Sequence, residues 1–413
     1  MNSKSGIVVG ILTLAFTLRI GVAFAFPDRL MRGDAAQYVQ NATLLQEGAG
    51  YIDIRDHNEP ELTVPPFYPF FLATTFSLFG SSLLVGRLVQ AVLATVTCIL
   101  VYWLATKEFG GATGLGTLLL FAFYPATLVW HGFYLTETLY TLFIVILFLT
   151  LFNFAQKPTR LHALLTGIVF GLTLLVREIL LFFPAVFVLV LIASKTKWQH
   201  LLTLTSLFLL GTVIVLAPWL WRNYQATGAI VYTSRVAYLQ HVITGTGYLS
   251  SRYKKAIGGQ LEVTPEQEEF NRRFGSLSEN LSPTFIIEHP RLFVQRMWNR
   301  FAEYWFHPNG LYGLPDSPIF RWPYRAGHVL LVLVAAVGGA YELYYRRRPL
   351  ALAMLATLLC LTVLNLTTYG PNPRYNLPFL PFVFMFSASG LWHLWQQLRN
   401  GKPFIHRPSQ VVR

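Results

Sequence analysis

Pro65-Pro66-Phe67-Tyr68-Pro69-Phe70-Phe71-Leu72-Ala73-Thr74-Thr75-Phe76-Ser77-Leu78-Phe79 is the stretch on which the topology of this chain turns. It is apolar almost throughout, yet a helix needs about 20 residues to cross the hydrocarbon of a bilayer, and this one has about 15. The basic residues elsewhere decide its reading. If it lies on the membrane, then Lys4, Lys107, Lys157 with Arg160, Lys195 with Lys197, Arg346-Arg347-Arg348 and the Arg399–Arg413 tail share one face. That face is then cytoplasmic, since short cytoplasmic loops collect Lys and Arg. If the segment spans, the agreement breaks. A juxtamembrane helix is therefore expected here.

Working outward, apolar residues make up 54% of the 413 and charged residues only 12%, against about 25% in soluble domains. An all-α polytopic membrane protein is expected, one domain over 1–413, with ten spans near 7–26, 83–106, 112–130, 137–156, 160–177, 178–194, 199–221, 323–345, 349–369 and 375–396. The first, Gly6–Phe26, holds Arg19 and lacks a small-residue cleavage site, so it reads as a retained anchor rather than a signal peptide. Two large segments fall outside: 27–82, and 222–322, the latter mixed helical and irregular. In the second, Thr264-Pro265-Glu266-Gln267 has the pattern of a helix start. Phe293, Met297, Phe301 and Trp305 recur every fourth residue with Arg296 and Arg300 on another face, which predicts an amphipathic helix at headgroup level. The net charge of +13 lies mostly in loops and points to membrane lipid or lipid-phosphate rather than nucleic acid. Cys98 and Cys360 fall within spans and suggest neither a metal cluster nor a disulfide.

Acids are rare, 19 in all, so their placement is informative. Asp34 follows the first span and opens a helix whose positions 34, 37, 38 and 41 share one face, bearing Asp, Gln, Tyr and Asn. Glu137 stands where another apolar run meets water. Each could be no more than an acid favoured at a helix start. As a pair, their carboxylates are expected to open into one outward-facing cavity. His57 and Glu59, in the same loop as Asp34, could line it or merely face water. Arg177-Glu178 interrupts the apolar run Leu161–Ile192 and predicts a tight outer turn. Tyr369-Gly370-Pro371-Asn372-Pro373-Arg374-Tyr375 is a rigid loop that delivers Arg374 to the last span, and Arg222 ends the seventh. Guanidinium groups suit phosphate oxygens. No Walker loop, HExxH, dinucleotide fingerprint or nucleophile elbow is present.

Four stretches together resemble the GT-C membrane glycosyltransferases, in particular glycosyltransferase family 39, the protein O-mannosyltransferases and their bacterial relatives that include the lipid A aminoarabinose transferases. They are Arg32-Gly33-Asp34-Ala35-Ala36-Gln37-Tyr38, Pro65-Pro66-Phe67-Tyr68-Pro69 through Gly80 with Gly86-Arg87-Leu88, Tyr124-Pro125 through Thr136-Glu137, and Arg374-Tyr375-Asn376-Leu377-Pro378-Phe379-Leu380-Pro381. Glu137 departs from the Asp of many relatives. The resemblance implies an inverting transfer of a sugar from a polyprenyl-phosphate donor to a hydroxyl of a glycan, lipid or protein, on the outer face of a prokaryotic plasma membrane. Asp34 would then be the general base. Arg374, with Arg177 or Arg222, would take the phosphate beside Tyr38 and Tyr375. Glu137 would orient the acceptor or support a basic residue or a divalent metal; no other cofactor is implied.

Two rivals stand beside this reading. A transporter or flippase would place ionisable groups near midplanes and break its spans, whereas here Arg19 alone does so. A non-catalytic subunit of a glycan-assembly complex would share the fold, and only the presence of both acids argues against it.

Overall fold

The computed structural model describes residues 3–26, 28, 32–54, 56–237, 269, 272–274, 282–307, 318–367 and 372–400. In chain order the helices are α1 (Ser3–Ala25), α2 (Asp34–Gln46), α3 (Phe67–Phe79), α4 (Leu83–Phe109), α5 (Gly111–Phe123), α6 (Pro125–Val129), α7 (Glu137–Gln156), α8 (Arg160–Val176), α9 (Phe183–Ala193) and α10 (Trp198–Thr227). They continue with α11 (Pro283–Glu288), α12 (Pro290–Phe306), α13 (Pro318–Tyr341), α14 (Pro349–Thr367) and α15 (Leu380–Asn400). A two-stranded antiparallel ribbon, Ile52–Asp53 with Asp56–Pro60, lies between α2 and α3. The expected helix start at 264–267 lies outside the described residues.

Seven helices among the described residues are long and apolar enough to cross a membrane, and α5 with its bent continuation makes an eighth. The two remaining expected spans, 160–177 and 178–194, are shorter than read. α8 has 17 residues and α9 only 11, because the turn after Val176 and a 3-10 turn at Glu178–Leu180 consume the start of the second. α3, at 13 residues, is too short to span and packs on α2 and α4, as the juxtamembrane reading expects.

The span read at 112–130 is bent by 59° after Phe123. Pro125 has no N–H to give back, so the chain turns at Tyr124 and leaves carbonyls without helical partners. In a membrane interior these must be satisfied locally. Thr127 Oγ1 donates to the carbonyls of Phe121 at 2.6 Å and Tyr124 at 2.9 Å. Arg19, fully buried, donates from Nη1 to Ala122 O at 3.2 Å and Ala15 O at 3.1 Å. The charged residue in the first span is thus a pin for a broken helix.

The segment after the break packs closely. A Cβ on Gly86 would lie 2.4 Å from Tyr134 Oη, and one on Gly132 would lie 2.3 Å from Cδ2 of Phe26. Neither position leaves room for a methyl group.

α12 forms where the fourfold spacing predicts, with Trp305 buried and Phe293, Met297 and Phe301 half-buried. Arg296 and Arg300 point inward and are buried, while Val294 and Trp298 are exposed. Arg300 Nε donates to Phe274 O at 2.6 Å and its Nη1 to Asn365 O at 3.2 Å, and Arg296 sits over the Phe285 ring. The spacing separates two faces without saying which meets protein. Backbone carbonyls on the protein side claim the arginines.

Candidate active site

Asp34 occupies the first turn of α2, after Gly33, whose φ of +57° ends the preceding segment. No side chain caps this helix, so Asp34 is not spent as a cap. Its carboxylate remains 58% exposed and meets Arg374, Nη1 to Oδ2, at 2.8 Å. Arg374 sits in a 3-10 turn, Pro373–Tyr375, whose shape is fixed from two sides. Its own N–H donates to Asn372 Oδ1 at 2.9 Å, and Asn376 Nδ2 donates to Tyr304 O at 2.5 Å on α12.

The Nε of Arg374 donates to Glu137 Oε1. Glu137 begins α7 and is 1% exposed, and Arg177 Nη1 donates to the same Oε1 at 2.9 Å. Arg177 is buried, reaches Thr136 Oγ1 at 3.4 Å, and lies 4.7 Å from the Tyr375 ring centre. Asp34, Arg374, Glu137 and Arg177 therefore form one alternating chain of charges. Dehydration alone would raise the Asp34 carboxyl, but Arg374, by charge and hydrogen bond, and Arg177 and Arg235 hold it below its usual range. Loss of water contact pushes the Tyr38 hydroxyl up to about 12 against the pull of Arg177 and Arg374, so at neutral pH it is a donor.

Beside this chain lies a cavity of about 140 Å³. Asp34, Gln37 and Tyr38 come from α2, Thr63, Val64 and Pro65 from the loop before α3, and Val176, Arg177, Glu178, Arg235 and Tyr375 close it. Asp34 opens into it; Glu137 does not. Glu137 instead lines a separate, smaller cavity of about 30 Å³ with Thr97, Trp130 and Thr141. The two acids meet across Arg374, not in a shared space. Among the described residues no cluster of three His, Cys, Asp or Glu is placed to hold a metal ion.

Other expected residues lie apart. Arg222 donates to Glu61 O at 2.9 Å, to Tyr51 O, and to Asn223 Oδ1 at 3.0 Å. It fastens the first outer loop to the end of α10 and is not on the cavity wall. Glu59 is exposed on the ribbon and also off the wall, and the His57 side chain lies outside the described ones. In their place the structure brings Arg235, paired to the buried Glu178 at 3.0 Å, and Glu61, fully buried beneath α2. Glu61 precedes an apolar stretch just as Glu137 does, a signal that could have marked it; nothing in the sequence singles out Arg235.

Residues 63–221 match a family model described as dolichyl-phosphate-mannose-protein mannosyltransferase. Among solved structures, ArnT from Cupriavidus metallidurans, bound to undecaprenyl phosphate, superposes at a TM-score of 0.57 and 15% identity over 96% of this chain. The archaeal oligosaccharyltransferase AglB from Archaeoglobus fulgidus, in complex with an inhibitory peptide and a dolichol-phosphate, superposes at 0.55 and 16% over 99% of the chain. The chain spans 63% of the ArnT chain and 53% of the AglB chain. No curated protein matches it. The chain is an integral membrane protein with the GT-C glycosyltransferase fold, and its residues 63–221 carry the sequence pattern of the mannosyltransferase family model.

Proposed function

We propose that this chain is an inverting glycosyltransferase that moves a sugar from a polyprenyl-phosphate donor to an acceptor hydroxyl at the face opposite its Lys/Arg-rich loops. One observation carries the reading: Arg374 is shared between a cavity-facing acid, Asp34, and a buried one, Glu137. Such an arginine keeps its position through the buried partner while its outer contact can be exchanged. A phosphate is the natural replacement, since guanidinium binds phosphate and carboxylate with the same fork. Arg177 and Arg235 stand on the same cavity wall. That two structures of this fold hold undecaprenyl phosphate and a dolichol-phosphate is consistent with such a ligand.

The donor phosphate would draw Arg374 from Asp34 and thereby raise the basicity of the freed carboxylate. Asp34 would take the proton of the acceptor hydroxyl as its oxygen bonds to the anomeric carbon. The bond from that carbon to the phosphate oxygen breaks in the same step, and its electron pair leaves on the phosphate. The arginines stabilise the charge that gathers there, where fixed donors are most effective. Glu137, out of reach of the cavity, positions Arg374 and Arg177.

Asp34→Asn tests the assignment. A positioned base contributes about 10²–10⁴-fold, so transfer from a radiolabelled lipid-linked sugar should fall by about that factor with folded protein unchanged. Turnover near the wild-type rate would remove Asp34 as the base.

A further inference from the structure

Among the described side chains of the first outer loop Glu61 is the one fully buried acid, and four N–H groups converge on it. Oε1 accepts from the backbone N–H of Thr63 at 2.6 Å and Val64 at 3.2 Å. Oε2 accepts from Gln37 Nε2 at 3.0 Å and Asn41 Nδ2 at 3.4 Å, both on α2. The same loop is held by Arg222 at Glu61 O and by Ser234 N–H, which donates to Leu62 O at 2.7 Å beside Arg235. The Glu61 side chain therefore ties α2 to the 63–65 loop, two parts of the cavity wall, and the neighbouring backbone at Leu62 ties on the third, the Arg235 segment.

A carboxylate is an acceptor with nothing to donate. A neighbouring amide must therefore turn its nitrogen toward it, whichever way the amide could otherwise sit. Gln37 obeys this, and it also lines the cavity. Its Oε1 is the half of the amide left over, on a cavity-lining residue three positions from Asp34. We propose that Glu61 is a positioning residue that fixes the hydrogen-bonding sense of this wall, making Gln37 the acceptor for a donating hydroxyl of the sugar or of the acceptor molecule. The proposal rests on the transferase reading above.

Glu61→Gln tests it with little change in shape. The Thr63 and Val64 N–H groups hold the carbonyl oxygen of the new amide, so its NH₂ faces Gln37 and turns that residue around. With a hydrogen bond of about 1.4 kcal/mol, or tenfold, at stake, kcat/KM should fall about tenfold. Affinity for polyprenyl monophosphate, which carries no sugar hydroxyl, should stay as in wild type. The exchange Glu61→Gln with Gln37→Glu conserves charge and returns an acceptor to the cavity, so it should recover transfer to within about threefold. A rise in KM for the donor assigns the hydroxyl to the sugar, and a rise for the acceptor assigns it there.

Wild-type turnover by Glu61→Gln overturns the proposal. So does a double exchange that fails to recover, or a parallel loss of polyprenyl phosphate affinity, which is what a purely structural role produces. If the wild-type protein transfers no sugar from any polyprenyl phosphate, the transferase reading itself fails. The pairing is then judged by thermal unfolding, where the double exchange must restore the stability that the single variant loses.

Discussion

Arg19 and Arg374 are both arginines drawn into the bundle, and their partners could hardly differ more. Arg19 is answered by the carbonyls of Ala15 and Ala122, and among the described residues no carboxylate accepts from its guanidinium. Arg374 is answered by two carboxylates, one buried and one at a cavity. A carbonyl freed by a helix break has no substitute in a bilayer, so the Arg19 contact is permanent by necessity. A carboxylate beside a cavity can be replaced by any oxyanion that arrives. The difference separates an arginine held by backbone carbonyls from one whose outer contact the proposed donor phosphate would take over.

The strongest way to break this contrast is Glu137→Gln, which leaves Arg374 and Arg177 sharing a buried space with no acid between them. Removing one partner of a buried pair costs about 3–5 kcal/mol. Unfolding in detergent should show a loss of that size, together with loss of transfer. A stable, active variant would show that Glu137 does not hold the arginines.

Arg19→Leu should cost less, about 1–3 kcal/mol, since it leaves buried carbonyls unsatisfied without stranding a charge. Its turnover per folded molecule should equal wild type. If kcat falls while stability holds, Arg19 belongs to the functional machinery and the comparison collapses.

Arg374→Gln sharpens the contrast through pH. Arg374 holds the Asp34 carboxyl below its ordinary value, which is about 3.9. Asp34 is therefore ionised at neutral pH, and the pair is lost only as pH falls through the depressed value. Without Arg374, protonation of Asp34 should begin at higher pH. The acid limb of the residual transfer profile should move up; an unmoved limb would mean that another cation sets the charge of Asp34.

Much of this was legible in the sequence because acids are so few. In so apolar a chain, Asp34 and Glu137 at the mouths of apolar segments stand out, and Arg177 and Arg374 stand out for the same reason. Helix α3 was readable from length and charge bias together. What lay hidden were relations that no local pattern carries. Arg222 and Arg235 both follow apolar stretches, and only the fold sends the first to a loop carbonyl and the second to the cavity wall. Periodicity found α12 but could not say that Arg300 would meet the carbonyls of Asn365 and Phe274 rather than water. Glu61 carries the same sign as Glu137, an acid before an apolar stretch, but its burial under α2 shows only in the fold.

The two missing methyl groups at Gly86 and Gly132 act as a depth gauge. Between them the rings of Tyr134 and Phe26 press directly on backbone and clamp the run that ends at Glu137. An alanine at either position is a wedge of atomic thickness driven under that run. Either the Tyr134 or Phe26 ring, or the run itself, would have to shift to admit it.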